Sequence, residues 1–223
     1  MKTRWLSAAL ALCMLLALVP ATALAAETEN RPAELAAEHP FTDVPADHWA
    51  NDAVAYVYEN GLMSGVDETT FSPNGTTTRA MIVTVLYRMA GEPAVSGGGK
   101  FTDVDPNAWY GPAVAWAAAN DIVTGVSATS FAPNNPITRE QMATMLGNYL
   151  SYLGHNTQDS PRTPFTDEGQ VSAWALDGVR CCAELGLLGG VSADRFSPRS
   201  VATRAQAAQL LQRLYAFVYP GEV

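Results

Sequence analysis

From Trp49 onward the apolar positions fall into two separate helical stripes, and the same pair of stripes recurs behind Trp109 and Trp174. Counting from each tryptophan, small or apolar residues stand at offsets 4, 5, 8 and 9: Ala53, Val54, Val57, Tyr58; Ala113, Val114, Ala117, Ala118; Gly178, Val179, Cys182, Ala183. That period predicts an amphipathic helix beginning just after the indole. Gly111-Pro112 reads as an N-cap followed by proline at the first helical position. Gly61 and Gly186 read as stops, with Asn120-Asp121 serving the second copy. A second helix is predicted from each Thr-Arg pair, Thr78-Arg79, Thr138-Arg139 and Thr203-Arg204, the threonine acting as N-cap. Gln141 and Gln206 complete capping boxes, whereas Met81 leaves the first box incomplete. Counted from the arginine, apolar residues fall at offsets 3, 7 and 10: Ile82, Leu86, Met89; Met142, Leu146, Tyr149; Ala207, Leu211, Leu214. This spacing of about 3.5 suits a seam packed against other helices.

The stripes sit inside a longer word that occurs three times. It opens as Phe41-Thr42-Asp43, Phe101-Thr102-Asp103 and Phe165-Thr166-Asp167, and the tryptophan follows 8, 8 and 9 residues after the phenylalanine. Gly65, Gly125 and Gly190 stand 16 residues beyond the tryptophans, and Phe-x-Pro triplets begin 6 residues later at Phe71, Phe131 and Phe196. Eight more residues lead to the arginine in every copy. A helix-loop-helix of this length cannot bury both its stripes alone, but three copies packed together can. The expectation is an all-α fold of three helix-loop-helix repeats, over 41–91, 101–154 and 165–218, packed as a pseudo-threefold helical bundle. The triplet phenylalanines are expected to pin the long inter-helix loops to the core. The Gly- and Pro-rich stretches 91–99 and 154–164 read as exposed connectors.

Ahead of the repeats, a basic start at Lys2 and Arg4, an apolar run from Leu6 to Val19 and the Ala23-Leu24-Ala25 site read as a secretory signal peptide over 1–25. A polar lead follows over 26–40. Removing the leader takes the net charge from −9 to −11, which speaks against nucleic acid as a partner. Outside the leader, no apolar run reaches membrane-spanning length. Cys181 and Cys182 are adjacent, so they form no disulfide framework; two readings remain, small buried hydrophobes or an intermolecular bridge.

Catalytic chemistry is not apparent. His39, His48 and His155 have no metal-ligand spacing and no nucleophile beside them, and no Gly-rich phosphate loop is present. Asp67-Glu68 has no oxygen-ligand counterpart in Ser127-Ala128 or Ser192-Ala193, so it is not a calcium loop. The chain is expected to be no enzyme and to need no cofactor and no metal. What recurs is one carboxylate, one indole, one glycine and one guanidinium per repeat. Arg79, Arg139 and Arg204 stand where a helix dipole disfavours a cation. Two readings account for them: an anion docked on the helix N-terminal amides and the guanidinium, or an ion pair with Asp43, Asp103 or Asp167. Under the first, alanine at these positions would leave the helices nearly intact. Trp49, Trp109 and Trp174 are either core anchors or walls for a sugar ring. Gly65, Gly125 and Gly190 mark a backbone conformation that a side chain forbids, or a close approach to a ligand.

The word Phe-Thr-Asp-Val, the Trp, the Gly, the Phe-x-Pro and the Thr-Arg-Ala/Glu-x resemble the surface-layer homology repeat, in three tandem copies over 41–218. The resemblance implies a three-pronged helical module that attaches proteins non-covalently to the bacterial cell envelope. The implied ligand is an acidic secondary cell-wall polysaccharide carrying pyruvate ketals, held in grooves between repeats. Arg79, Arg139 and Arg204 match a principal ligand contact of that family. The chain would then be a secreted protein of the bacterial cell surface, with wall polysaccharide and other surface proteins as partners. The alternative is an assembly protein of a surface layer acting through protein contacts. Three departures stand out: Met81, Gln141 and Gln206 replace the family glutamate, Glu168 replaces a valine, and one residue is inserted before Trp174. The last two make the groove of repeat three the least secure. With no passenger segment after repeat three, the expectation is a small coat component, a module that brings a partner, or a competitor for wall sites.

Overall fold

The computed structural model describes residues 39–95 and 99–221; the leader and most of the polar lead lie outside them. Within these residues the structure is helical: α1 (Asn51–Glu59), α2 (Arg79–Met89), α3 (Gly111–Ala119), α4 (Arg139–Tyr152), α5 (Leu176–Glu184) and α6 (Arg204–Val218), with single 3-10 turns at Glu168–Gln170 and Ala173–Ala175. Each first helix begins two residues after its tryptophan. Each ends before a residue in the left-handed region, Gly61, Asp121 or Gly186, with φ of 64°, 58° and 67°. At the start of α3 the expected cap shifts by one: Tyr110 is the N-cap, and Gly111 and Pro112 are the first two helical residues. Gly111 is needed for a different reason, since a Cβ there would lie 2.5 Å from the Pro106 carbonyl.

The seam at offsets 3, 7 and 10 of the second helices is buried throughout. On the first helices the stripe is rotated from the expected one. Offset 9 (Tyr58, Ala118, Ala183) is exposed or half-buried, and offset 7 takes its place, with Trp116 and Cys181 buried. The reason is the packing partner. Each first helix lies against the second helix of the preceding repeat, α3 on α2, α5 on α4 and α1 on α6, so the chain closes on itself. Cys181 and Cys182 are free and buried, and burial raises both thiol pKa values, which supports the small-hydrophobe reading. The first capping box also forms: the Met81 sulfur lies 3.5 Å from the Thr78 amide, a weak acceptor in the place of the glutamine oxygen of the other boxes.

Closure is visible at the centre. The residues just before the three threonine caps form a ring of backbone hydrogen bonds: Thr77 N–H to Ala202 C=O (3.1 Å), Ala202 N–H to Ile137 C=O (3.0 Å) and Ile137 N–H to Thr77 C=O (2.9 Å). A short antiparallel bridge between each pair of repeats flanks this ring. The expected loop pins hold as well. Phe71, Phe131 and Phe196 are fully buried, and their rings contact Phe41, Phe101 and Phe165 at centroid distances of 5.4, 5.6 and 5.6 Å.

Candidate functional site: three grooves, each built by all three repeats

The site starts from the conformation of the Phe-x-Pro loop. The middle residue of the triplet, Ser72, Ala132 or Ser197, has a φ of 61°, 56° and 56°, unusual without glycine. The carboxylate of the opening word holds it there. Asp43 accepts from the amides of Phe71 (2.8 Å) and Ser72 (2.7 Å); Asp103 accepts from Phe131 and Ala132, and Asp167 from Phe196 and Ser197, all at 2.8 Å. Burial pushes the Asp103 carboxyl up, but the Phe131 amide, the Ser130 hydroxyl and the Ala132 amide outweigh it, and the pKa lies below the usual range. These aspartates therefore brace the loop and do not line a groove.

The braced loop presents its carbonyls to the neighbouring repeat. At the start of α2, Arg79 N–H donates to Asn135 C=O (3.1 Å) and Ala80 N–H to Pro133 C=O (2.9 Å). At α4 the acceptors are Ser200 and Pro198, and at α6 they are Gly75 and Pro73. The Thr cap takes the next amide. The helix N-terminal amides are thus occupied by protein, so the expected sharing of them with a docked anion does not hold: closing the ring has already satisfied them.

The arginines belong to the same joint. The Nε atoms of Arg79, Arg139 and Arg204 donate to the carbonyls of Phe131, Phe196 and Phe71, each at 2.8 Å. Each guanidinium also lies over the same phenylalanine's ring, 4.5 to 4.8 Å from its centroid. Arg139 and Arg204 spend one Nη on Gly189 C=O (2.5 Å) and Ser64 C=O (2.6 Å); Arg79 makes no such second bond among the described residues. The side chains are buried, and burial draws Arg139 down to about 10 against the opposing field of Asp167. Arg79 and Arg204 are lowered the same way, opposed by Asp103 and Asp43. The aspartates sense the arginines through space but bond to backbone amides, so the simple ion-pair reading does not describe the joint either. Alanine at these positions would strip a buried carbonyl of its donor, so the expectation of nearly intact helices is corrected.

One side of each arginine remains on a groove. The Arg79 groove, about 490 Å³, is lined by Gly125 and Val126 of repeat two, by Gln141, Thr144 and Asn148 of α4, and by Trp174 of repeat three. The Arg139 groove, about 280 Å³, repeats this with Gly190, Val191, Gln206, Gln209, Arg213 and Trp49. The Arg204 groove, about 390 Å³, has Gly65, Val66, Met81, Thr84, Arg88 and Trp109. Every groove thus joins an arginine, a glycine loop with its following helix, and an indole from three different repeats. The indoles are 58%, 60% and 58% exposed for Trp49, Trp109 and Trp174, which removes the core-anchor reading.

The glycines have a conformational role and line the grooves. A Cβ on Gly125 (φ 86°) would lie 2.6 Å from both the Phe101 ring and the Ser130 carbonyl. Gly65 and Gly190 would collide with the Asp67 and Ser192 carbonyls in the same way.

Some groove determinants are carried by one copy of the repeated word and not by the others. The Glu140 carboxylate is buried and accepts from the Ser172 amide (2.9 Å) and hydroxyl (3.2 Å), setting the turn that presents Trp174. Glu168, the departure in repeat three, accepts from Arg180 (2.9 Å), Arg162 (3.0 Å) and Thr163, tying the second connector to α5. The Arg180 bond, aided by Thr163 and Arg162, holds its carboxyl at about 2 against burial. Because Trp174 crosses to the Arg79 groove, the inserted residue bears on that groove and not on one belonging to repeat three alone. The substitutions at Met81, Gln141 and Gln206 have a collective result: no Asp or Glu lines any of the three grooves, in a chain with 22 acidic residues.

The S-layer homology domain model matches residues 40–80, 100–143 and 164–208. Among similar proteins are an endoglucanase of Bacillus sp. (strain KSM-635), 30% identical over 96% of this chain and 23% of its own length, and an S-layer protein of Bacillus thuringiensis subsp. finitimus, 30% identical over 80% and 21%. An amylopullulanase of Thermoanaerobacterium thermosulfurigenes is 31% identical over 78% of this chain and 9% of its own length. The chain spans about a quarter or less of the length of these relatives. Three matched segments, each spanning one copy of the repeated word from Phe-Thr-Asp to Thr-Arg, place this chain in the S-layer homology domain family.

Proposed function

We propose that this chain is a non-catalytic cell-envelope attachment module that binds an acidic, pyruvylated secondary cell-wall polysaccharide in the grooves between its repeats. The observation that carries the reading is the groove chemistry: a buried guanidinium and an exposed indole face an acid-free lining, in a chain of net charge −9. An indole gives a sugar ring an apolar wall, and a fixed guanidinium gives a carboxylate a charge-assisted partner. Because the overall charge opposes an anionic polymer at long range, attraction is local to these grooves. S-layer homology domains attach proteins to the cell surface, and the S-layer and glycan-degrading relatives fit a shared attachment role. The second reading, in which the exposed Trp and Val side chains meet other protein subunits, has the S-layer relatives in its favour.

The test is sedimentation and titration of residues 27–223 with wall polysaccharide, before and after mild acid removal of pyruvate. Binding that depends on pyruvate is expected. Binding indifferent to pyruvate would change the ligand, and no binding would favour assembly. The role also requires export: mass spectrometry of surface protein should find an N-terminus near Ala26 or Glu27, and intact Met1 on cytoplasmic protein would remove the secretion reading.

A further inference from the structure

The grooves differ in charge at one position, which lies nine residues beyond each repeat's own arginine and faces the arginine of a neighbouring repeat. Arg88 stands there in the Arg204 groove and Arg213 in the Arg139 groove, but Asn148 stands there in the Arg79 groove. All three side chains perform the same local task, holding the turn just after the first helix of their own repeat. Arg88 Nη1 donates to Leu62 C=O (3.3 Å), Arg213 Nη1 to Gly186 C=O (3.3 Å) and Asn148 Nδ2 to Ile122 C=O (3.1 Å). An uncharged amide suffices for that task, so the charge on Arg88 and Arg213 is surplus to it.

Among the described residues no carboxylate neutralises that surplus. Arg162, Arg180 and Arg195 each stand within 4 Å of a carboxylate, whereas Arg88 and Arg213, both exposed, have no carboxylate partner among the described residues. Each instead shares an acid-free groove with a second guanidinium, Arg204 or Arg139. Two like charges in one groove are unfavourable unless an anion lies with them. The Arg79 groove avoids this, having one guanidinium whose two Nη atoms make no hydrogen bond among the described residues.

We propose that Arg88 and Arg213 are second anion-contacting residues. The Arg204 and Arg139 grooves then hold an acidic saccharide between two arginines, while Asn148 gives the Arg79 groove a single anion contact. This rests on the acidic-saccharide reading above. It assigns most of the charge-dependent affinity to two of the three grooves, and it makes the position nine residues past each repeat's own arginine the one that sets how much negative charge each groove selects. Arg88→Asn and Arg213→Asn copy what repeat two already carries, so the bond to the turn survives while the charge is lost.

The test titrates pyruvylated wall polysaccharide, released from purified bacterial walls by hydrofluoric acid, against residues 27–223 at low and high salt, with melting curves alongside. Each Arg→Asn change should weaken binding about fivefold and flatten its salt dependence. Asn148→Arg should strengthen binding and steepen that dependence. If the double Arg→Asn variant binds within about twofold of the parent at both salts, or if Asn148→Arg gains nothing, the inference is overturned while the attachment reading stands. If an Arg→Asn variant melts early, Asn148→Arg alone decides. A parent that does not bind overturns both.

Discussion

Trp49, Trp109 and Trp174 are more than half exposed, although an indole is among the most hydrophobic side chains a chain can spend. Replacing any of them by alanine removes little packing, so stability should change by less than about 0.5 kcal/mol. Binding of wall polysaccharide should fall roughly tenfold per indole, as for other exposed aromatic contacts. Parallel melting and titration would separate the two, and an early melt with unchanged binding would return the indoles to a structural role. Glu168 makes the opposite case. Its carboxyl is held at about 2 by Arg180, Thr163 and Arg162, against an ordinary value of 4.5. Below about pH 4.5 the unfolded chain takes up a proton that the folded one refuses. The stability from this carboxylate is therefore full above that pH and lost as the pH falls towards 2. Melting temperatures of the parent and Glu168→Gln should differ at pH 6 and converge near pH 2; a gap that stays constant with pH would deny the carboxylate this role.

Between elements, α4 and α5 approach closely, and glycine faces glycine there. A Cβ on Gly147 would lie 3.0 Å from Gly178 Cα, and one on Gly178 would lie 2.8 Å from the Ala143 carbonyl. Since the obstacles are backbone, Gly178→Val must push the helices apart, at about 1–3 kcal/mol. Gly189→Ala, with open space at its Cβ, is the control and should be nearly neutral. Chemical denaturation of both would test this, and equal effects would show that the approach is not tight. The seam of the second helices was readable because offsets 3, 7 and 10 repeat in every copy. The stripe of the first helices was misread by one column, because its partner belongs to a different repeat and leaves no trace in local periodicity.

The whole molecule is held by reciprocity. α1 packs on α6, at the far end of the chain, and the central ring takes one N–H and one C=O from each repeat. A fragment of 41–91 therefore lacks α3 and α6 as packing partners, and its Arg79 lacks the Phe131 carbonyl. Circular dichroism should show that fragment largely unfolded and 27–223 melting in one cooperative transition. A folded monomeric single repeat would contradict the shared core.

The sequence by itself determined what depends on spacing within one repeat: helices after each tryptophan and each Thr-Arg pair, buried triplet phenylalanines and the family. These are legible because capping, turn and seam signals lie within a few residues of one another. Tertiary structure alone decided which residues meet across repeats. It gave the arginines a neighbour's carbonyl, turned the aspartates into braces, exposed the indoles and brought Arg204 beside Arg88 and Trp109. Those partners are supplied by ring closure between segments far apart in the chain, and a side chain's role there is set by what the neighbouring repeat leaves unsatisfied.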